Sequence, residues 1–448
     1  MAARRRPWSR TPGHGLGSLV TAHGVGVIGT QITALALPTL AIIHLGASPF
    51  AASVLFALEF GAQAFAAPVL GVLVDRARSP RRLLILASLG YGLAVLLVPV
   101  AAVGGLLSLV LLGAVAVVTG VLGGLITIGL QAVVPVLVPR DRLVAANSAM
   151  AGARSVGQVA GPAIAGSLVQ WWGAAAAMGV DAATRVLSIL AFATMRPSRE
   201  ALARRSAEAS GMVRALRDGV AVLRGQPLLV RIAVTAAALN FGGSALGALY
   251  LVFAYQELHL SPGLIGVVYV VNSVASLVAV GTAGRVIRRL RMTRVVPFFA
   301  PLAGAALFLI PAAAIAPPFA ALVAYEAVFG YCATVWFIAT ATLQQSLVPT
   351  HQLGRVIAMS RTISALAIPV GALLGGALAQ WWGMVPTLLA FAAAALAGTC
   401  ASIVRNSQFG TTTPTSADDR PAESGTNAPS SEVLLTAEPT SPKAGSSS

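Results

Sequence analysis

GPAIAGSLVQWWG occupies positions 161–173, and GALLGGALAQWWG occupies 371–383, 210 residues further along the chain. The correspondence extends over the longer stretches 131–173 and 341–383. Pro139 precedes Trp171-Trp172-Gly173 by 32 residues, and Pro349 precedes Trp381-Trp382-Gly383 by the same 32. Between these marks Gly161 pairs with Gly371, Gly166 with Gly376, and Gln170 with Gln380. An offset this long repeats half a molecule. In a membrane protein, a repeated half implies two helical bundles rocking about a shared site, the arrangement that alternating access requires.

The composition places the chain in a membrane. Of 448 residues, 57% are hydrophobic and 10% charged, with a mean hydropathy of +0.83. A water-soluble chain of this length needs far more polar surface to cover its core. Apolar runs of about 20 residues or more recur throughout, each long enough to cross roughly 30 Å of hydrocarbon. Cys332 and Cys400 both lie in apolar runs, which excludes a disulfide framework and leaves buried thiols.

A net charge of +16 raises the question of a nucleic-acid partner. The basic residues are not gathered on one face; they lie in alternate connections between apolar runs. Arg4, Arg5, Arg6 and Arg10 precede the first run, Arg76, Arg78, Arg81 and Arg82 follow the second, and Arg140 and Arg142 follow the fourth. A cluster from Arg196 to Arg231 follows the sixth. Arg285, Arg288, Arg289, Arg291 and Arg294 follow the eighth, Arg355 the tenth and Arg405 the twelfth. The other connections, near 46–49, 103–107, 171–174, 257–262, 315–318 and 381–385, contain no Lys or Arg. This alternation is the positive-inside pattern of a multi-pass plasma-membrane protein with both termini in the cytoplasm, and it removes the case for nucleic acid.

The expected fold is an all-α integral membrane protein with twelve transmembrane helices in two six-helix pseudo-symmetric bundles. The spans read as 17–45, 49–74, 80–102, 106–138, 144–170, 174–196, 228–256, 261–286, 293–315, 318–348, 354–380 and 383–404. Residues 1–16 form a cytoplasmic N-terminal segment, 17–196 the first bundle and 228–405 the second. The first span is too long and too polar for a cleaved signal peptide. In the linker 197–227, Met212, Val213, Leu216, Val220 and Leu223 align at helical spacing beside Arg214, Arg217 and Arg224. That pattern fits a helix lying on the inner membrane surface, or a solvated linker with some helix. Residues 406–448 are rich in Ser, Thr, Pro and Ala without apolar periodicity, and read as a disordered cytoplasmic tail.

Gly71-Val72-Leu73-Val74-Asp75-Arg76, followed by Arg81-Arg82, resembles the cytoplasmic signature of the major facilitator superfamily between its second and third helices. Arg78 stands where that signature usually has Gly, and Ser79-Pro80 displaces its basic pair. Carried forward by 210 residues, the signature falls on Gly281, Gly284 and Arg285, with Arg285 where Asp75 would be. The resemblance implies a gate latch made by Gly71, Asp75, Arg76 and Arg82. Gly71 allows close helix approach, Asp75 accepts hydrogen bonds from a facing helix N-terminus, and Arg76 pairs with a carboxylate. The plainer reading is that these charges anchor a loop and set topology.

In span five, Asn147-Ser148, Arg154, Gly157, Gly161-Pro162 and Gly166 resemble the glycine–proline motif of exporters in the same superfamily. Ala165 and Ser148 stand where the full motif has glycine. Gly157, Gly161 and Gly166 leave a small helix face, and Pro162 removes a backbone donor; ordinary small-residue packing explains the same pattern. With Thr30-Gln31 and Ala36-Leu37-Pro38 in span one, this passage is similar to the branch containing macrolide-type and siderophore exporters.

Ionisable residues inside spans are costly in hydrocarbon and are either functional or paired. Glu59 has no Lys or Arg within one turn and Gln63 one turn away. It is a candidate proton-coupling acid, against a structural hydrogen bond or a contact to a cationic substrate. Glu326 in span ten is the second acidic candidate, with Tyr325 and Tyr331 nearby. Asp181 and Arg185, four residues apart, can neutralise each other as a structural ion pair on a span that the family arrangement makes peripheral. Arg154 deep in span five calls for a carboxylate, helix carbonyls or an anionic substrate. Gln31, Gln63, Gln131, Asn240, Asn272, Trp336 and Gln344, with Arg154, are candidates to line a cavity suited to bulky, partly apolar molecules. Any one of these amides also serves as interhelical glue.

There is no glycine-rich phosphate loop with a following Lys, and His14, His23, His44, His259 and His351 show no metal-ligand spacing. The reading is therefore not an enzyme and needs no cofactor or metal. It is a monomeric secondary transporter that exports amphipathic compounds such as drugs, antibiotics or siderophores by proton antiport, with the bilayer, protons and a small-molecule substrate as partners. Uptake of a small metabolite, or a non-transporting membrane sensor of the same fold, are the alternatives.

Overall fold

The computed structural model describes residues 14–77, 79–138, 142–195, 226–290, 292–348 and 350–404. Most of the first sixteen residues, Pro139 and Pro349 of the repeat, Arg78, the linker with its expected surface helix, and the tail lie outside the described residues.

Among the described residues twelve helices follow in order. α1 is His14–Thr39 and runs on through a π-helical turn, Leu40–His44. α2 is Pro49–Arg76, α3 Pro80–Val103, α4 Leu109–Leu137, α5 Leu143–Trp172 and α6 Ala174–Ala193. α7 is Pro227–Val252 with a second π-helical turn, Phe253–Glu257. α8 is Pro262–Leu290, α9 Met292–Ala306 with a short continuation Leu309–Ala312, α10 Pro318–Leu347, α11 Thr350–Trp382 and α12 Met384–Val404. Their starts are written in sequence. Ser48, Ser79 and Ser108 accept backbone N–H bonds three residues on, and proline at the first helical position of α2, α3, α7 and α10 gives up a donor that has no helical partner anyway.

Eleven of the helices are long and apolar enough to cross a bilayer. α5 falls short because Asn147, Ser148, Arg154, Ser155 and Gln158 dilute it. The ninth span, expected to be continuous over 293–315, is broken after Ala306. Pro311 has no N–H for the carbonyl of Leu307, and Leu307 and Phe308 bond instead to carbonyls three residues back.

The first six helices pack mainly among themselves, as do the last six. α1 lies against α5 and α6, α2 against α4, and α3 against α4 and α6. α7 lies against α11 and α12, α8 against α10, and α9 against α10 and α12. Two principal seams join the halves, α2–α11 and α5–α8, with α2 also touching α7.

The repeat reappears in the backbone. Gly173 and Gly383 close α5 and α11 at φ +83° and +85°, a conformation glycine adopts at little cost. The π-helical turns of α1 and α7 recur 213 residues apart with the same bonds: Ala47 N–H to Ala41 O, and Leu260 N–H to Ala254 O, both 2.9 Å. Across one seam, a Cβ added to Gly166 would lie 2.8 Å from the Cα of Gly266. Across the other, a Cβ on Gly376 would lie 3.1 Å from the Cα of Phe50. Small residues let these backbones meet. Trp171, Trp172, Trp381 and Trp382 are 79%, 65%, 86% and 60% exposed at one end of the molecule, where amphipathic rings suit a membrane interface.

Candidate functional site

A cavity of about 330 Å³ lies between the halves, lined by α1, α2, α5, α7, α8 and α10. Glu59 from the first half and Glu326 from the second both face it, with Gln31, Pro162, Asn272 and Ser273. Leu35, Leu55, Phe56, Phe60, Leu251 and Tyr269 make its apolar walls. No Lys or Arg is among the described residues of this lining. Glu326, 5% exposed, accepts a 2.7 Å hydrogen bond from Nδ2 of Asn272. Around it the rings of Tyr250 and Tyr269 lie 5.7 Å apart, and those of Tyr250 and Tyr325 6.1 Å apart. The Tyr250 hydroxyl is buried beside this carboxylate without a hydrogen bond of good geometry.

α2 presents Phe56, Glu59, Phe60 and Gln63 at helical spacing i, i+3, i+4 and i+7, so they fall on one face. α4 fixes the depth of that face with glycines. A Cβ on Gly120 would overlap the carbonyl of Glu59, and one on Gly124 would lie 3.2 Å from Cγ of Gln63. On α5, Gly161 allows the same approach to α1, since a Cβ there would be 2.7 Å from Cγ of Gln31. The glycines thus place Gln31, Glu59 and Gln63.

A second chamber, about 300 Å³, lies inside the first bundle among α1, α2, α3, α4 and α6. Its lining includes His23, Thr30, Gln31, Glu59, Gln63, Tyr91, Thr127 and Arg185. The pair Asp181–Arg185 is formed, at 3.0 Å, and lies inward instead of at the periphery. Asp181 is 0% and Arg185 4% exposed. Thr33 donates to Asp181 (2.5 Å), Arg185 donates to Oγ1 of Thr30 (2.9 Å), and its guanidinium lies 3.9 Å from the centroid of the Tyr91 ring. The pair therefore ties α6 to α1 and α3 and is a wall of the chamber.

Several expected cavity residues lie elsewhere. Gln131 is exposed and outside both cavities, as is Arg154, which forms no ion pair among the described residues although its charge reaches His23. Asn240 joins α7 to α11 by a 2.9 Å bond to the Ser364 carbonyl. Trp336 is buried among Val295, Phe299 and Ala339 in a core between α9 and α10, and Gln344 is buried just over two turns beyond it. A membrane span is apolar on its lipid face and on its packed face alike, so nothing in these helices told the two apart. Gly71 is half-buried, while Asp75, Arg76 and Arg82 are exposed around the turn between α2 and α3. Of the residues the sequence reading passed over, Phe56 and Phe60 had a signal in their spacing about Glu59. Tyr269 and Ser273 had the same signal about Asn272.

The fold and its repeat place the chain in a class of two-bundle helical membrane proteins. The profile of the Major Facilitator Superfamily matches residues 19–367 and, in an overlapping second match, 232–440; the chain belongs to this family. That family is one of transporters and not of enzymes. Over 250 residues it is 27% identical to the uncharacterized MFS-type transporter y4rN of Sinorhizobium fredii, covering 55% of this chain and 60% of that relative's length. Among solved structures it resembles the nucleoside transporter NupG, with a TM-score of 0.71 and 13% identity over 87% of this chain and 98% of that one. It also resembles a bacterial homolog of the human lysosomal transporter Spinster in an inward-facing and occupied conformation. There the TM-score is 0.64 at 14% identity, over 87% of this chain and 92% of that one. At such identities these likenesses speak for the fold.

Proposed function

We propose that the protein exports amphipathic organic cations across the plasma membrane in exchange for protons. The observation that carries this reading is the cavity between the halves, where two carboxyls, one from each bundle, face a mostly apolar and aromatic space whose described lining holds no Lys or Arg. A cation bound there is attracted by the carboxylates and by ring faces, and apolar walls favour the rest of a bulky molecule. A proton on either carboxyl removes that attraction, so proton and substrate compete and exchange follows. Glu59 is the leading coupling acid and Glu326 the principal substrate contact.

The branch resemblance supports outward transport, and the arginine-rich connections support a cytoplasmic location for the ends they share. On that orientation, Gly71, Asp75, Arg76 and Arg82 form the cytoplasmic latch.

The test is proton movement in proteoliposomes carrying an internal pH dye, with tetraphenylphosphonium, a macrolide and a hydroxamate siderophore as probes. Substrate-dependent proton flux is expected in the wild type, abolished by Glu59→Gln and weakened by Glu326→Gln. Flux that persists in both variants removes the carboxyls from the mechanism. Substrate accumulation driven in the same direction as the protons replaces export by uptake.

A further inference from the structure

We infer that Glu59 releases its proton through the chamber inside the first bundle, so that proton and substrate leave the site by different routes. This rests on the reading of Glu59 as the coupling acid. Glu59 lines both cavities, which share Gln31, Ala34, Glu59 and Phe60 and then diverge. Along α1 the chamber takes residues from Ala22 to Ala34, and the substrate cavity takes Gln31 to Pro38. At 1.5 Å per residue the chamber carries the path roughly 12 Å from Gln31 to His23. Helix α2 runs the opposite way and agrees: its chamber residues end at Gln63, and its cavity residues begin at Ala52.

Both spaces are mostly apolar in exposed surface, and they differ in how many polar groups reach them. About half of the chamber's lining side chains are polar, against about a third in the substrate cavity. A volume of about 300 Å³ with hydroxyls and amides set among its apolar walls has the room and the partners to hold several waters. The chamber is also built from helices of one bundle only, so rocking of the halves leaves it intact, whereas the substrate cavity must open and close.

In the exchange, the O–H bond of the Glu59 carboxyl breaks and the proton passes to chamber water and on towards the His23 end. The carboxylate then regains a proton from water admitted when the substrate cavity opens to the other side. The groups facing this path are His23 from α1, Tyr91 from α3 and Arg185 from α6; α4 adds the hydroxyls of Thr119 and Thr127, and Arg154 of α5 interacts with His23. Arg185, bound to Asp181 and Thr30, is a fixed charge and no carrier.

Two glycines give a matched test. A Cβ on Gly123 would sit 3.6 Å from Cε2 of Tyr91 in the chamber, and one on Gly247 would sit 3.6 Å from Cζ of Phe56 in the substrate cavity. Both positions accept a Cβ at ordinary contact distance, and from there Gly123→Leu extends into one space and Gly247→Leu into the other. The measurement is deuterium exchange at the carboxyl C=O infrared band that Glu59→Gln removes, on the full chain in nanodiscs without substrate. Gly123→Leu is expected to slow exchange roughly tenfold or more, because a filled apolar chamber holds no water to relay the proton. With no substrate and no turnover, release and return of the proton both run through chamber water, so Gly247→Leu should leave the rate within about twofold. Thr127→Leu, one turn along the chamber wall, repeats the first result with a different side chain and guards against misfolding of one variant. Exchange slowed by Gly247→Leu and untouched by both chamber variants overturns the route while leaving Glu59 as the acid. Absence of any Glu59 carboxyl band at all overturns the coupling role itself.

Discussion

Glu326 owes its orientation to Asn272, whose amide donates the one side-chain hydrogen bond of good geometry recorded for that carboxylate among the described residues. Asn272→Leu keeps the approximate volume and removes the donor. A hydrogen bond to a charged group contributes about 1.5–3 kcal/mol, so tetraphenylphosphonium binding, measured by equilibrium dialysis, should weaken about tenfold or more. The fold should persist. Asp181 and Arg185 make the opposite case, because each charge is bound by the other and by a threonine hydroxyl. Both are buried, and removing one partner of a buried pair leaves the other uncompensated at a cost of about 3–5 kcal/mol. Asp181→Asn should therefore lower the thermal unfolding midpoint sharply. The double variant Asp181→Leu/Arg185→Met should recover most of that loss, because no charge then remains buried. Equal destabilisation by the single and double variants would show that the bonds to Thr33 and Thr30, and not the charge balance, hold the three helices together.

Among the elements, α5 and α11 carry the seams. Each crosses the other half through a glycine that leaves no space for a side chain, Gly166 against Gly266 and Gly376 against Phe50 and Ser53. Gly166→Val should force α5 from α8 and slow transport severalfold with helix content, read by circular dichroism, unchanged. Gly152→Val lies on the same helix with nothing within 4 Å of its Cβ, and should be nearly silent. The glycines that end α5 and α11 obey a different demand. Gly173, at φ +83° and ψ 160°, lies in a region nearly closed to residues with a Cβ, at a cost of about 1–3 kcal/mol, so Gly173→Ala, and Gly383→Ala at the matching positive φ, should each lower stability by about that amount and leave binding intact. These glycines were legible as a repeat in sequence. The matching π-helical turns of α1 and α7 left a fainter trace, Ala41, Leu45, Ser48 and Pro49 recurring 213 residues on as Ala254, Leu258, Ser261 and Pro262, and the turn itself is set by backbone bonds to the following loop.

For the whole molecule, the seam at the arginine-free end is closed. The hydroxyls of Thr39 and Tyr255 meet at 2.9 Å, Gln256 donates to the Ala47 carbonyl, and the Gly263 N–H bonds Gln170. If substrate passes this end, the seam must part in each cycle. Thr39→Cys/Tyr255→Cys, bridged with a short bifunctional thiol reagent, should stop transport, and reduction should restore it. Continued transport with the bridge in place would mean that this end does not open. The sequence by itself determined the membrane setting, the number of helices, the two-fold repeat and the presence of two uncompensated acids within spans. Length, apolar content, loop charge and glycine spacing are local quantities that a chain displays before it folds. Only the tertiary structure decided that Glu59 and Glu326 share one cavity, that Asp181 and Arg185 face inward, and that Gln131, Trp336 and Gln344 stand apart from it. Lipid and protein interior are both apolar, so a membrane helix does not declare in its sequence which face it will turn to its neighbours; close contact at the glycines settles that.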